Sequence, residues 1–449
     1  MVTIEAPTKP PLLDEVVGLN HRDYQTEGTH FLWTHKRGMI TDAPGLGKTP
    51  QAALAAELPA IIVCPTYLTG QWSDWLSEHF PERTNAVARG NRFARIDVIT
   101  DLTLDWLIIN KEMLRTHRKE MLVVAPHYKT VIFDESHHLR NRTAEHSKGA
   151  AELAKIIPRC YELSATPIWK EVDDLYMQLH ILFPDLFNSY WDFVDKWCIA
   201  SADRYSTKVV GVKKSMIKEL EELLDIVRIG RTYEQAGRDL PPVIENSIKI
   251  DFTRQTRKMY DTLKDGYRLR IQGEPDVLMT SAMEVLHTLR QVTSYEKVDA
   301  ILETIEDTES YHNGRYVVFT WYKDTAEQIW SEVHERTGAV LITGDKSPVE
   351  RRELALSGKP IIATLGSLSE GIDLSHCRMV IFAEEHWPPG SNVQSLARVR
   401  RERQVESNVE PVLVYYVMVN KTIDEDIHNI NRRRSASIKE LLSECLDLY

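Results

Sequence analysis

At 449 residues the chain exceeds the length at which a single hydrophobic core stops growing, so two domains are expected. Hydrophobic residues at 43% and charged residues at 27% describe an ordinary soluble globular chain, and no apolar run approaches the ~20 residues that span a bilayer, so no membrane partner is expected. The net charge of −11 argues against a uniformly basic, nucleic-acid-coating surface, but a basic stripe suffices to hold a phosphate backbone, and clusters occur at Arg140 and Arg142, Arg398 to Arg403 and Arg432 to Arg434.

The five cysteines are scattered without a C-x-x-C pair, which indicates neither zinc nor a disulfide framework and fits a reducing, cytoplasmic compartment. The first residues lack the basic and apolar regions of a secretion signal, and Pro7 to Pro11 reads as a loose arm. Lys36 to Ile40 reads as a buried strand, and the alanine-rich stretch Pro50 to Leu58 as a helix. Ala60–Cys64, Ile96–Ile99, Trp106–Ile109, Thr130–Phe133 and Arg159–Leu163 read as strands of a parallel sheet covered on both faces. From Ile168 to Arg238 the pattern is helical and aromatic: Leu175, Leu179 and Leu182 keep helix spacing, and Phe193 and Trp197 suit a packed core. Asp239-Leu240-Pro241-Pro242 breaks that pattern and marks the domain boundary. Tyr316–Phe319, Ala339–Ile342, Pro360–Ala363, Met379–Phe382 and Val412–Val417 form a second strand series. The fold class expected is α/β: a lobe over residues 1–240 with a helical extension from about 168, and a lobe over 241–449. The second lobe carries a helical insertion at about 253–312 and a last helix, Ile438 to Leu446, packed on it.

Chemistry concentrates first in Thr41-Asp42-Ala43-Pro44-Gly45-Leu46-Gly47-Lys48-Thr49, a glycine turn between a predicted strand and helix. Gly45 and Gly47 let the backbone curl so that N–H groups, those of Gly45 to Lys48 among them, face phosphate oxygens at a helix N-terminus, with Pro44 leading into the curl. Lys48 would reach the β- and γ-phosphates of ATP, and the Thr49 hydroxyl would ligate Mg²⁺. The first position of the usual G-x-x-x-x-G-K-[ST] pattern is Asp42. Asp134-Glu135-Ser136-His137 follows a predicted strand directly, which brings its carboxylates beside a nucleotide held at another strand end of the same sheet. Asp134 would hold Mg²⁺, and Glu135 would orient and polarise the attacking water. Either feature alone is common; together they point to nucleotide hydrolysis. Arg398 and Arg401 stand three apart on a predicted helix, so both leave one face, suited to reach the γ-phosphate with forked guanidinium donors.

Gly45-Leu46-Gly47-Lys48-Thr49, Asp134-Glu135-Ser136-His137 and Ser164-Ala165-Thr166-Pro167 resemble motifs I, II and III of superfamily 2 helicases. Pro65-Thr66-Tyr67-Leu68 with Gln71-Trp72, His137-His138-Leu139-Arg140-Asn141 and Leu289-Arg290-Gln291 resemble stretches of the Swi/Snf type of double-stranded DNA translocase. Val318 to Trp321, Thr364 through Gly371-Ile372-Asp373-Leu374, and Trp387-Pro388-Pro389 with Gln394, Arg398 and Arg401 resemble its motifs IV, V and VI. The box reads DESH where that family has DEAH, motif III reads Ser-Ala-Thr-Pro where it has Gly-Thr-Pro, and Arg400 replaces a frequent His.

The resemblance implies two RecA-like lobes of a P-loop NTPase helicase core, with ATP and Mg²⁺ as cofactors. It places Gln25 on the adenine edge and Gly371 and Asp373 at the nucleotide. It implies DNA contacts by Thr66, Asn110, Lys111 and Arg140 in the first lobe and by Thr320, Thr364, Ser367 and Trp387 in the second. The function expected is a monomeric DNA-dependent ATPase that moves on duplex or branched DNA, in a compact form suited to a bacterial or phage enzyme of replication, recombination or repair. Two alternatives stand beside it: a strand-separating superfamily 2 helicase on DNA or RNA, and a structure-specific DNA-binding scaffold with a vestigial ATPase.

Overall fold

The computed structural model describes residues 9–202, 207–271, 275–368, 372–401 and 410–442. The chain divides into two compact units, one of Met1–Arg238 with Ala436–Tyr449 and one of Asp239–Ser435.

The strands of the first unit are β1 (Arg37–Ile40), β2 (Ala60–Cys64), β3 (Asn85–Val87), β4 (Trp106–Asn110), β5 (Thr130–Asp134), β6 (Arg159–Leu163), β7 (Cys198–Ala202), β8 (Thr207–Val212) and β9 (Arg228–Ile229). Among the described residues seven of them form one parallel sheet in the order β3-β4-β2-β5-β6-β1-β9. The sheet is covered on both faces, which is why its strands read as unbroken apolar runs. Ile61 and Val63 of β2 join one apolar cluster with Leu107, Ile109, Val131 and Phe133. Ala60, Ile62 and Cys64 of the same strand join the opposite cluster with Ile108, Ile132 and Leu163, as the two-residue period of a strand requires.

Four expectations change here. Ile96–Ile99 is the end of a helix, Arg92–Ile99, begun by Asn91, whose Oδ1 accepts from the Ala94 N–H at 3.0 Å. That N-cap outweighs a short β-branched run, and the sheet edge is β3 instead. The segment 168–238 is not wholly helical, since β7 and β8 form an antiparallel hairpin and β9 adds to the main sheet beside β1. Its aromatic residues do form a packed core, with the Phe193 and Trp197 rings 4.9 Å apart. Pro7 and Thr8 lie outside the described residues, but Pro10 is buried and Leu12 sits in a core cluster, so the arm is not loose there. The last helix runs Ile423–Leu441, and its Ile438 and Leu441, with Leu442, belong to the first unit's apolar cluster. The expected packing on the second lobe is corrected accordingly; residues 443–446 of that expected helix lie outside the description.

The second unit contains β10 (Val243–Ile250), β11 (Tyr316–Thr320), β12 (Val340–Ile342), β13 (Ile361–Thr364), β14 (Met379–Phe382) and β15 (Val412–Val419). They form a parallel sheet in the order β10-β15-β14-β11-β13-β12. Between β10 and β11 lie helices Arg254–Ile271, Pro275–Glu296, Val298–Asp307 and Glu309–His312. A buried ion cluster ties this insertion to the sheet. The Lys297 ammonium donates to the Ala383 carbonyl at 2.6 Å and pairs with Asp424 at 2.9 Å, with Glu384 3.9 Å away. Among the described residues no helix is long and apolar enough to cross a membrane.

The helix Glu145–Ile156 contains Gly149, where an added Cβ would lie 2.4 Å from the Leu114 carbonyl oxygen. Helix propensity alone would make Gly149→Ala stabilising by about 1 kcal/mol. Backbone overlap in a packed interior costs about 1–3 kcal/mol, and a carbonyl has less room to yield than a side chain. We therefore expect Gly149→Ala to lower the urea-unfolding midpoint; a raised midpoint would show that the helix containing Leu114 gives way.

Candidate functional site

Because all strands of the first sheet run the same way, they end along one edge. In register Ile40 of β1 lies level with Leu163 of β6, and Leu163 lies level with Asp134 of β5. The glycine loop leaves β1 directly after Ile40, motif III leaves β6 at Ser164, and the acidic box closes β5. Loop and box are thus two strand spacings apart, roughly 10 Å, with motif III between them.

The loop has the shape its glycines were expected to allow. Gly45 and Gly47 sit at φ +80° and +79°, a region that L side chains rarely adopt, and the helix Lys48–Leu54 starts immediately after. The Lys48 ammonium folds back onto the Asp42 and Ala43 carbonyls at 2.8 and 3.4 Å, so it already lies within the curl that would receive phosphate. Thr49 is half-buried on the first turn. Pro44 is half-buried and Leu46 buried, its carbonyl accepting from Tyr24 Oη and Gln25 Nε2, each at 3.1 Å. Gln25 therefore stands against the loop, and its Oε1 accepts from the Arg22 N–H at 3.1 Å. This pocket of curled backbone and a poised ammonium fits a triphosphate.

At the box, Asp134 accepts from the Trp72 indole N–H at 2.8 Å and from the Glu135 N–H at 2.9 Å. Burial, and then the neighbouring Glu135 charge, push its carboxyl upward, while Trp72 and Lys48 pull it back. The effect of the Lys48 charge on Asp134 links loop to box. Glu135 holds φ +51°, a left-handed conformation costly for a side-chain-bearing residue and concentrated at functional sites. Its Oε2 lies 3.2 Å from His137 Nδ1. Burial, then Arg140, hold His137 neutral, so that contact is not an ion pair. His137 Nδ1 also lies 3.1 Å from Ser164 Oγ, and its ring stacks on Trp169 with centroids 4.5 Å apart.

Ser136, which stands where the family has alanine, and Ser164 both connect the box to motif III. Ser136 Oγ donates to Gln178 Oε1 at 3.0 Å, and Gln178 Nε2 donates to the Pro167 carbonyl at 2.7 Å. Ser164 Oγ accepts from the Thr166 N–H at 3.1 Å. Trp72, Trp169 and Gln178 were not singled out for these roles by sequence. Motif Ia did include Trp72, but only folding shows its indole against a carboxylate. Thr49 and Asp134 could hold Mg²⁺ together with nucleotide phosphates, since this ion commonly takes one or two protein ligands beside phosphates. Among the described residues no cluster of three His, Cys, Asp or Glu could hold a metal without them.

Of the nucleic-acid candidates, Lys111 and Arg140 line a cavity of about 590 Å³ with His138, Asn141, Arg142 and His146. Burial lowers the proton affinity of Lys111. Arg140 donates to the His137 carbonyl at 2.8 Å, and Arg142 lies over the Tyr190 ring at 4.3 Å. Thr66 is exposed and Asn110 half-buried. In the second unit Thr364 and Trp387 are half-buried, the Trp387 carbonyl accepting from Arg434 at 3.1 Å.

Thr320 and Ser367 are corrected. Both are buried, with Thr320 Oγ1 donating to the Tyr322 carbonyl at 3.0 Å and Ser367 Oγ to the Ile342 and Thr364 carbonyls at 2.7 Å. Their hydroxyls stabilise turns and face no solvent. The exposed side chain here is Trp321, stacked on His386 at 4.7 Å with the Arg290 guanidinium 5.5 Å from its ring.

The shared helical face of Arg398 and Arg401 is also corrected. The helix spans Pro389–Val399, Arg400 leaves it at ψ 94°, and Arg401 follows. Arg398 is buried and donates to the Leu368 carbonyl, and Arg400 Nε donates to the Pro241 carbonyl at 2.8 Å. Arg403 and Gly371 lie outside the described residues. Asp373 is half-buried and accepts from the Ser375 N–H at 2.8 Å.

Residues 24–310 match the SNF2-related domain, and residues 296–403 match the helicase conserved C-terminal domain. The human protein named DNA annealing helicase and endonuclease ZRANB3 is 25% identical over 422 residues, 89% of this chain and 38% of that protein. The Caenorhabditis elegans homolog of SWI/SNF-related matrix-associated actin-dependent regulator of chromatin subfamily A-like protein 1 is 27% identical over 436 residues, 92% of this chain and 60% of the relative. The chain thus spans 38% and 60% of the length of these two relatives. Among solved structures, the Sulfolobus solfataricus SWI2/SNF2 ATPase core in complex with dsDNA is similar over 99% of this chain and all of that one, at 20% identity and a TM-score of 0.46. With the SNF2-related match extending over more than half of its length, the chain belongs to the SNF2-related family of helicase-like ATPases.

Proposed function

We propose that the protein couples ATP hydrolysis to movement along duplex or branched DNA. The observation that carries this reading is the level register of Ile40, Leu163 and Asp134, which supports a phosphate loop, a motif III serine and an acidic box working on one nucleotide. Lys48 binds the β- and γ-phosphates, Asp134 with Thr49 holds the metal, and Glu135 takes up the proton of the attacking water. Mg²⁺, when bound, draws charge from the phosphate oxygens. Gln25 reads adenine, and Arg398 and Arg401 serve as arginine fingers. Asp373 contributes to the nucleotide site.

DNA as the polymer is supported by family membership, by the DNA annealing named for the human relative, and by Lys111, Arg140 and Arg142 lining one cavity beside Asp173 and Asp174. Thr66, Asn110, Thr364 and Trp387 would add backbone contacts, which position a protein without reading sequence. Such work implies an intracellular, DNA-associated location and a role in replication, recombination or repair. A second reading, strand separation, is favoured by Ser164-Ala165-Thr166-Pro167.

Lys48→Ala and Glu135→Gln should fail differently. The first should weaken ATP binding, because a phosphate-pairing charge is lost. The second should bind ATP but turn it over about 10²- to 10⁴-fold more slowly, as expected when a general base is removed. Nucleotide titration with single-turnover kinetics checks this, and equal loss of affinity in both variants would sink the assignment.

Replacing Arg398 or Arg401 by Ala should lower kcat by about 10³-fold, the scale of an arginine finger. Lysine should not restore it, for want of the fork. A folded variant with normal turnover would leave that arginine only a structural part.

Duplex DNA should stimulate hydrolysis, with binding that falls steeply as salt rises. A labelled triplex-forming strand should be displaced in the presence of ATP, whereas a plain forked duplex should not be unwound efficiently. Robust fork unwinding without triplex displacement would move the protein to the strand-separating branch.

A further inference from the structure

The first half of the glycine loop is gripped by a segment to which the hydrolytic chemistry assigns no role. The Thr41 N–H donates to the Ile229 carbonyl at 2.8 Å, and the Ala43 N–H to the Arg231 carbonyl at 3.0 Å. Tyr233 Oη donates to the Pro44 carbonyl at 2.7 Å. At the centre, the Arg231 guanidinium pairs with Asp42 at 3.0 Å and with Glu27 at 3.0 Å. Gln51 Nε2 donates to the other Asp42 oxygen at 2.7 Å. Asp42 is fully buried and Arg231 nearly so. A buried ion pair of this kind tolerates little displacement, because separating the charges leaves each without water. Gly28 shows how closely the parts are fitted: a Cβ there would lie 1.8 Å from Gln51 Oε1 and 3.4 Å from Arg231 Nη1.

Asp42 occupies the position where the usual loop pattern has glycine. A glycine there would leave only the backbone bonds of Thr41 and Ala43 and the Tyr233 contact, whereas the carboxylate adds a charged fastening to Arg231. Those residues are the last strand of the first unit and the turn after it, shortly before the chain passes to the second unit at Arg238 and Asp239.

We infer that Arg231 and Tyr233 are positioning residues that act through Asp42 and Pro44 to hold the nucleotide loop in its binding shape before ATP arrives. The inference rests on the nucleotide-binding reading of that loop. Preorganisation of this sort lowers the cost of binding without touching the reacting atoms. Its loss should therefore raise KM and Kd for ATP while leaving kcat at saturation within about twofold. A purely structural role would lower the unfolding midpoint and leave the affinity of the folded fraction unchanged.

The test uses the full chain and a fluorescent ATP analogue. Tyr233→Phe keeps the ring and removes only the hydroxyl, so it should fold, and its Kd should rise about fivefold, as expected for one neutral hydrogen bond. Arg231→Gln should raise Kd about tenfold or more, as for a bond to a charged group. Arg231→Lys should recover part of that loss. The double variant Asp42→Asn, Arg231→Gln should lose less than the product of the two single effects, since the residues act as a pair. Wild-type Kd in both folded Tyr233→Phe and folded Arg231→Gln, or strictly multiplicative effects in the double variant, would overturn the inference. Wild type and Lys48→Ala are titrated alongside: no binding by wild type defeats the nucleotide reading itself. Wild-type binding with unaltered Tyr233 and Arg231 variants defeats only the positioning role.

Discussion

Parallel pairing in the first sheet is the constraint on which the candidate site depends. A parallel strand must be reached by a crossover, so each strand delivers its C-terminal end to the same edge. With β1, β6 and β5 adjacent and Ile40, Leu163 and Asp134 level, residues more than ninety positions apart in sequence become neighbours. No side-chain contact is needed to bring them together; backbone register does it. The side chains then refine the site: Trp72 orients Asp134, His137 meets Glu135 and Ser164, and Gln178 joins Ser136 to Pro167.

Buried charge is the second organising force. Asp42 and Lys297 have both been taken out of water, and each has several partners. Desolvation of an ion costs several kcal/mol, which only close, multiple contacts offset. The consequence is closely fixed geometry at two places: the mouth of the loop, and the junction of the helical insertion with the second sheet. Rigid placement suits a phosphate site, where an error of an ångström is expensive in rate.

Sequence reading went furthest where local chemistry is self-sufficient. The Gly45 and Gly47 conformations, the strand before the loop and the acidic pair closing β5 were legible, because glycine freedom and apolar runs are properties of a few adjacent residues. It went astray where a neighbour decides. Ile96–Ile99 has strand composition but an Asn91 cap, and β10 alternates polar with apolar residues at a sheet edge, so a search for apolar runs passes over it. Arg401 sits three positions after Arg398, but the helix ends at Val399. Spacing cannot show where a helix stops.

The amino-acid sequence by itself determined the class of fold, the nucleotide loop, the acidic box and the order of the motifs, since each is written in contiguous residues with their own conformational preferences. Only the tertiary structure decided which polar groups are available. It buried the hydroxyls of Thr320 and Ser367, exposed Trp321, drew Asp42 onto Arg231, and carried Ile438 and Leu441 to the first unit's core. The physical reason is that burial and pairing arise between segments distant in the chain, and the free energy of a charge or hydroxyl depends on those partners far more than on its sequence neighbours.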